Sequence, residues 1–147
     1  MSILKVKLVR PDAQLPKRET SGSAGHDLRA CISEDVILPA GGSLRLPTGI
    51  AIEMESADYV AIIAARSSMA AKYGVTMANG IGVIDSDYRG EISVLLYNHS
   101  QEDFVIHPGD RVAQLLLLPV DLPYSVEVEE LSQTQRGEGG FGSTGRA

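Results

Sequence analysis

Apolar and polar residues alternate along parts of this chain in the pattern that is typical of β-strands. In ILKVKLV (3–9), the side chains of Leu4, Val6 and Leu8 fall on one face, and VEVEEL (126–131) alternates in the same way. Both segments are therefore predicted to form strands that bury one face.

Three further segments are apolar on both faces. They are YVAIIAA (59–65), ISVLLYN (92–98) and VAQLLLL (112–118). Strands with two apolar faces are usually covered on both sides. We expect the core of the domain to cover one face of these strands and a neighbouring subunit to cover the other.

Turn signals rich in proline and glycine separate these segments at short intervals. Examples are LPAGG (38–42), LPTG (46–49) and HPGD (107–110), and their spacing predicts an all-β sandwich or barrel. The segment SSMAAKYG (67–74) predicts one short helix, with a serine N-cap at Ser67 and a glycine stop.

Length and charge limit the class of protein. The chain has 147 residues, enough for a single domain, and a net charge of −6. An acidic chain without a basic stripe is not expected to bind nucleic acid or an anionic membrane surface. No segment resembles a membrane helix or a signal peptide, and the single cysteine, Cys31, excludes an intrachain disulfide. We expect a cytoplasmic protein in which Cys31 is a small buried side chain.

The end of the chain differs in composition from the rest. RGEGGFGSTGRA (136–147) contains five glycines in twelve residues. Its G-x-G-x-x-G pattern does not open a helix, which excludes a dinucleotide-binding fingerprint. Two interpretations remain: a disordered tail, or a mobile arm whose backbone N–H groups wrap phosphates while Phe141 stacks on a flat ring.

Two other segments offer donors for an anion. Arg66, Ser67 and Ser68 lie at the predicted start of the helix, and Arg111 and Gln114 lie where a turn meets a strand. Each group also has a plain structural interpretation, as a helix cap or as a solvated surface arginine. Together with the tail they are suited to a small polyphosphate.

A specific resemblance rests on five segments in a fixed order: SAGHDLRA (23–30), ARSSMA (65–70), NGIGVIDSDYRGE (79–91), PGDRVAQL (108–115) and RGEGGFGSTG (136–145). With these segments the chain resembles the trimeric deoxyuridine triphosphatase (dUTPase) family. The resemblance implies an all-β, distorted jelly-roll or β-clip-like single domain with one short helix. It also implies a homotrimer with active sites at subunit interfaces. Residues 1–135 would form the β domain, and residues 136–147 a flexible arm that closes over the site of a neighbouring subunit.

The resemblance also implies a reaction. Members hydrolyse dUTP to dUMP and pyrophosphate with Mg²⁺, which lowers dUTP and supplies dUMP for thymidylate synthesis. Asp85 would activate the water that attacks the α-phosphorus. The Mg²⁺ would ride on the substrate phosphates without a direct protein ligand, and Asp27 would reach it through water.

The substrate-binding residues implied by the family pattern fall into three groups. Tyr88 would lie against the deoxyribose, Phe141 would stack on the base, and Arg111 would support the site or touch the substrate. The uracil edge would be read by Asn79, Gly82, Val83 and Ile84. The phosphates would be held by Arg66, Ser67, Ser68, Gln114, Arg136, Gly142, Ser143 and Thr144.

Two alternatives remain open beside this function. A dCTP deaminase would share the fold, although the segment from Ile84 to Gly90 and the tail with Phe141 fit the hydrolase better. A catalytically silent trimeric β-module that senses a nucleotide or binds a protein is a different class, and an intact Asp85 and Tyr88 argue against it. His26 stands where the family commonly has tyrosine or an apolar residue, and it is expected to be a packed or surface ring.

Overall fold

The computed structural model describes residues 3–140, and short strands enclose one apolar core. The strands in this range are β1 (Lys5–Leu8), β2 (His26–Arg29), β3 (Val36–Leu38), β4 (Ser43–Pro47), β5 (Ile50–Glu53), β6 (Tyr59–Ala64), β7 (Val75–Met77), β8 (Gly82–Ile84), β9 (Ser93–Asn98), β10 (Phe104–Ile106) and β11 (Arg111–Pro119), and the helix α1 is Ser67–Tyr73.

The strands form small antiparallel sheets. One four-stranded sheet has the order β2-β11-β6-β8, and a three-stranded sheet has the order β4-β9-β7. Two strand pairs, β1-β5 and β3-β10, complete the arrangement. Most paired strands are distant in sequence, as is usual when consecutive strands alternate between sheets. This mostly-β arrangement with one short helix confirms the predicted fold class.

The core receives side chains from several sheets. Leu28 of β2, Ile63 of β6 and Leu115 of β11 pack with Val94 of β9 and Ile106 of β10, and each of these side chains is at most 1% exposed. The strands predicted at 59–65, 92–98 and 112–118 are confirmed as β6, β9 and β11. Within the described chain, part of the second face is exposed on β9 and β11, where Leu95 and Leu118 are 36% and 44% exposed.

The strand predicted at 126–131 is wrong. Residues 120–135 contain no strand, and Val126 and Val128 are 76% and 58% exposed. Alternation of apolar and polar residues defines the face that a strand would bury. The alternation does not supply a partner strand. Within the described chain, residues 126–131 pair with no other strand.

The helix prediction is confirmed in extent and corrected at its start. Gly74 ends α1 in the left-handed region (φ 67°), as the glycine stop predicted. The N-cap position is occupied by Arg66 rather than Ser67, because the extended backbone of Arg66 continues from β6, and no side-chain hydrogen bond caps the helix. No helix within residues 3–140 is long and apolar enough to cross a membrane.

Two side chains singled out in the sequence lie in half-buried positions. The thiol of Cys31 lies 3.5 Å from the carbonyl oxygen of Pro11, and partial burial raises the pKa of this thiol. Cys31 is therefore less buried than predicted. His26 is a packed ring whose buried Nδ1 has no hydrogen-bond partner within the described chain.

Candidate active site

A carboxylate clamped by two arginines lies on β2, an outer strand of the sheet β2-β11-β6-β8. Asp27 is on β2 beside Gln114 of β11, and its side chain is 12% exposed. Its Oδ1 accepts a hydrogen bond from Nε of Arg66 at 3.0 Å, and its Oδ2 accepts one from Nη1 of Arg111 at 3.2 Å. Nη1 of Arg66 also donates to the carbonyl oxygen of Arg111 at 3.4 Å. Asp27 thus fixes the positions of both guanidinium groups.

Two serine hydroxyls lie beside this clamp. Ser67 and Ser68 directly follow Arg66 and are both exposed, and since neither caps the helix, their hydroxyls are available to a ligand. They border a cleft of about 200 Å³. The residues that line this cleft are Glu19, Ser23, Gly25, Asp27, Arg66, Ser67, Ser68 and Gln114.

The side chain of Gln114 is held by its neighbours. Its Nε2 donates to the carbonyl oxygen of Ala65 at 3.0 Å. A Cβ atom on Gly25 would collide with Oε1 of Gln114 and would lie 3.2 Å from its Cβ. Gly25 is therefore required by the position of Gln114. The structure brings Asp27, Arg66, Ser67, Ser68, Arg111 and Gln114 together, and this set is called the phosphate-side cluster below.

The hairpin from Asn79 to Ile84 presents backbone groups at a sheet edge. Gly80 adopts the left-handed conformation (φ 71°), and the N–H of Ile81 donates to the carbonyl oxygen of Asn79 at 2.8 Å. Strand β8 pairs with β6 and is the outer strand of its sheet. An edge strand leaves every second N–H and C=O free on its outer side. The roles implied for Asn79, Gly82, Val83 and Ile84 at the edge of a base stay predictions.

Asp85 and Tyr88 occupy the two ends of one tight turn. The N–H of Tyr88 donates to the carbonyl oxygen of Asp85 at 3.2 Å, and Arg89 braces the turn by donating to the carbonyl oxygens of Ser86 (2.8 Å) and Tyr88 (3.1 Å). The side chains of Asp85 and Tyr88 are both exposed. A single turn therefore holds a carboxylate and a phenol ring three positions apart, both open to solvent.

The ring of Tyr88 is packed against the backbone of a glycine. Its hydroxyl donates to the carbonyl oxygen of Glu91 at 3.2 Å. A Cβ atom on Gly90 would collide with the hydroxyl oxygen and would lie 2.5 Å from Cζ of the ring. Gly90 is thus the residue that allows Tyr88 its position.

Glu91 has a role that the sequence did not indicate. Its carboxylate accepts two hydrogen bonds from Arg10, at 2.5 and 2.9 Å, and a third from the N–H of Gly49 at 3.0 Å. The hydrogen bond from Arg10 lowers the pKa of Glu91 below its ordinary value, against a smaller opposing effect of partial burial. This ion pair ties the end of the Asp85 hairpin to the N-terminal part of the chain, 81 positions away.

Replacement of Glu91 by glutamine should lower the free energy of unfolding by about 1 kcal/mol at neutral pH. A carboxylate with a lowered pKa stabilises the fold above its unfolded pKa, and this contribution is lost as the pH falls through the folded pKa. The difference between the wild type and Glu91→Gln in urea unfolding should therefore shrink as the pH falls below the ordinary glutamate pKa of 4.5. A difference that persisted unchanged at the lower pH would contradict this origin.

The Asp85 turn and the phosphate-side cluster lie apart within one chain. Ile84 pairs with Ala61 and Gly82 pairs with Ile63, so Asp85 continues toward the start of β6, whereas Arg66 follows the end of β6. With the rise of an extended strand, roughly 15–20 Å separate the two backbone positions. A single chain therefore places these two sets of predicted site residues at different ends of one strand.

The arm predicted at 136–147 is described only in its first residues. Arg136 is exposed, and its Nε donates to the carbonyl oxygen of Gly139 at 2.9 Å within a local turn. Phe141, Gly142, Ser143 and Thr144 lie outside the described residues. Their predicted contacts with substrate stay predictions.

The fold is jelly-roll-like and is shared with known dUTPase structures. A mutant dUTPase of Staphylococcus bacteriophage 80alpha, solved with dUpNHpp, matches with a TM-score of 0.84 and 26% sequence identity, over 98% of this chain and 99% of that chain.

The amino-acid sequence gives the family. A family model described as dUTPase matches residues 11–145. Deoxyuridine 5'-triphosphate nucleotidohydrolases of Desulfitobacterium hafniense (strain DSM 10664 / DCB-2) and Cronobacter sakazakii (strain ATCC BAA-894) are 47% and 44% identical to the chain, and each alignment covers 99% of both proteins. The chain belongs to the dUTPase family.

Proposed function

We propose that the protein hydrolyses dUTP to dUMP and pyrophosphate, which lowers dUTP and supplies dUMP for thymidylate synthesis. The observation that carries the proposal is the turn that holds Asp85 and Tyr88 beside the edge strand β8, within a chain of the dUTPase family. The cytoplasmic location expected from the sequence stays a prediction.

Asp85 is the proposed general base. Phosphoryl transfer requires a nucleophile in line with the bond that breaks and a neutralised phosphate chain, with little covalent help from the protein. An exposed carboxylate at the end of an ordered turn can accept a proton from a water molecule placed between it and the α-phosphorus. Such a base supplies a rate factor of about 10²–10⁴.

We propose that rigidly held backbone and ring positions select the base and the sugar of the substrate. The outer edge of β8 would pair with the uracil edge, so cytosine would leave buried groups without partners. A Cβ atom on Gly82 would lie 3.1 Å from Cβ of Ile63, so a larger residue there would have to push the hairpin or Ile63 aside by a few tenths of an ångström. Tyr88, fixed against Gly90, would leave no room for a 2′-hydroxyl.

The phosphate chain is proposed to bind at the phosphate-side cluster. Arg66 supplies a fixed charge, and Ser67, Ser68 and Gln114 supply neutral donors around the same cleft. Arg136, together with Gly142, Ser143 and Thr144 of the arm, is proposed to complete the binding of the terminal phosphates.

Magnesium fits this donor set as an ion carried by the substrate. Mg²⁺ prefers oxygen ligands and usually keeps several waters. Within residues 3–140, no group of three or more His, Cys, Asp or Glu side chains is placed to hold a metal ion. Both oxygens of Asp27 already accept from guanidinium groups, and their remaining lone pairs could accept a hydrogen bond from a water of the hydrated ion. The bound ion would neutralise part of the phosphate charge.

A homotrimer with sites at its interfaces is the proposed assembly. The separation of the Asp85 turn from the phosphate-side cluster supports sites that combine two chains, and the arm from 136 to 147 is proposed to come from another subunit. Leu122, Tyr124, Val126 and Val128 alternate along the chain and are each at least 58% exposed, so this apolar stripe is open for a neighbour to cover.

Sedimentation equilibrium should give the mass of a trimer at micromolar concentration, and dilution should reduce the specific activity as the trimer dissociates. An active, well-folded monomer would refute the interface sites.

Replacement of Gly90 by alanine should reduce the selectivity for dUTP over UTP by about tenfold or more, because the new methyl group displaces the Tyr88 ring. The ratio of kcat/KM for the two substrates measures the effect. Gly22→Ala is the matched control, since a Cβ atom there meets no atom within 4 Å. If Gly90→Ala kept the wild-type ratio, the ring position would not be what excludes the ribose.

The proposed function is tested by the release of pyrophosphate from dUTP, dTTP, dCTP and UTP, with and without Mg²⁺. Release from dUTP alone is expected. Ammonia from dCTP would favour a deaminase, and no release from any nucleotide would favour a silent binding module.

A further inference from the structure

A second carboxylate competes for Arg111 at the mouth of the phosphate-side cluster. Oε1 of Glu19 accepts a hydrogen bond from Nη1 of Arg111 at 2.6 Å, shorter than the 3.2 Å from the same nitrogen to Asp27. Glu19 lies outside the five segments that resemble the family, and 92 positions separate it from Arg111. The known pattern of site residues therefore does not include it.

The two carboxylates that bind Arg111 differ in solvent exposure and in their other partners. The side chain of Asp27 is 12% exposed and also bonds Arg66, whereas the side chain of Glu19 is 59% exposed. An exposed ion pair contributes little net stability, because water competes for both partners. Loss of Glu19 would still leave Arg111 paired with Asp27. Glu19 can thus leave at little cost, whereas Asp27 remains in place.

The charges around the cleft show how breaking the Glu19–Arg111 ion pair would change the attraction of the site for a polyphosphate. Arg66 and Arg111 carry two positive charges, and Asp27 and Glu19 carry two negative charges, so the four groups sum to zero. Glu19 also lines the cleft beside Ser67, Ser68 and Gln114. Arg111 itself lines the adjoining cleft with Arg66 and Ser68. Its Nη1 is bonded to two residues of the first cleft, Glu19 and Asp27. A polyphosphate in the first cleft therefore reaches the charge of Arg111 only where Glu19 gives up its hydrogen bond.

We propose that Glu19 is a displaceable counter-ion of Arg111, and that it yields Nη1 of Arg111 to a phosphate oxygen when a polyphosphate binds. Glu19 then weakens the affinity for substrate and for pyrophosphate, and so favours release of the product. The inference rests on the proposed function for the identity of the ligand. It makes Glu19 a positioning residue, acting through Arg111.

The test compares the full-length wild type with Glu19→Gln, which removes the charge and keeps the shape. Titration calorimetry with pyrophosphate at low ionic strength should show an affinity that is higher by about two- to fivefold. KM for dUTP should fall by a similar factor, with a smaller change in kcat. The gain should shrink as salt is added, because salt screens an exposed charge.

Three further variants make the result specific. Glu19→Asp keeps the charge and should bind pyrophosphate nearly as the wild type does, whereas Glu19→Ala should resemble Glu19→Gln. Glu53→Gln removes an equal charge from the exposed pair Lys5–Glu53 on β1 and β5, and should leave the affinity unchanged. Weaker or unchanged pyrophosphate binding by both neutral Glu19 variants would overturn the proposal, as would an equal gain in Glu53→Gln.

Pyrophosphate binding separates this inference from the proposed function. If the wild type released no pyrophosphate from dUTP, the proposed function would fail, while the calorimetric comparison would still decide the role of Glu19. If the wild type hydrolysed dUTP but the neutral variants bound pyrophosphate no more tightly, only the role of Glu19 would fail.

Discussion

Replacement of Asp85 by asparagine is expected to reduce the turnover of dUTP by about 10²–10⁴-fold or more, while binding of the nucleotide is retained. Asparagine has the size of aspartate and can keep the turn whose carbonyl accepts from Tyr88, but its amide does not accept a proton from water at neutral pH. Pyrophosphate release measures the loss, and titration calorimetry with dUTP measures the retained binding.

Asp87 provides the control within the same turn. It is exposed, as Asp85 is, and lies two positions further along the chain. Asp87→Asn should therefore keep nearly all of the wild-type turnover. Near-normal turnover in Asp85→Asn, or an equal loss in both variants, would show that Asp85 is not the base.

Removal of residues 136–147 is expected to reduce turnover by at least about 10²-fold, the effect of losing even one preorganised donor at a developing charge. The fold should survive, because residues 121–138 are exposed and the arm begins beyond the last strand of the described core. Pyrophosphate release from dUTP measures turnover, the melting temperature of the truncated chain measures its folding, and sedimentation measures its subunit assembly.

Two point variants separate the contributions of the arm. Arg136→Ala should weaken the interaction with the terminal phosphates, and Phe141→Ala should weaken stacking on the base. If truncation instead unfolded the protein or dissociated its subunits, the arm would be a structural element, and its proposed role at the site would be wrong.

The sequence predicted the parts of the molecule that local pattern determines. The strands β6, β9 and β11, the glycine end of α1 and the all-β class follow from apolar patterns and turn residues, which act over a few positions. The jelly-roll form was implied by the family resemblance. The segment at 126–131 shows the limit, since its alternation is as regular as that of a strand but no partner strand is fixed by it. Likewise Ser67 is a good capping residue, but the path of β6 places Arg66 at the cap.

The ion pairs could not be predicted, because they join residues that only the folded chain brings together. Arg10 meets Glu91 and Glu19 meets Arg111 across 81 and 92 positions. The two glycines at 25 and 90 show the same limit. Each is required by a side chain in contact with it, Gln114 or Tyr88, rather than by its own backbone angles.

The Asp85 turn and the phosphate-side cluster lie at opposite ends of β6. This separation has a consequence for trimers that mix wild-type and mutant chains. In the proposed trimer, each chain lends its hairpin to one site and its arginines to another. A chain damaged only at Asp85 would silence one site of a mixed trimer, whereas a chain damaged at both places would silence two. Where each change abolishes the segment it affects, the activity left in a mixed trimer would then depend on how many segments the mutant chain alters.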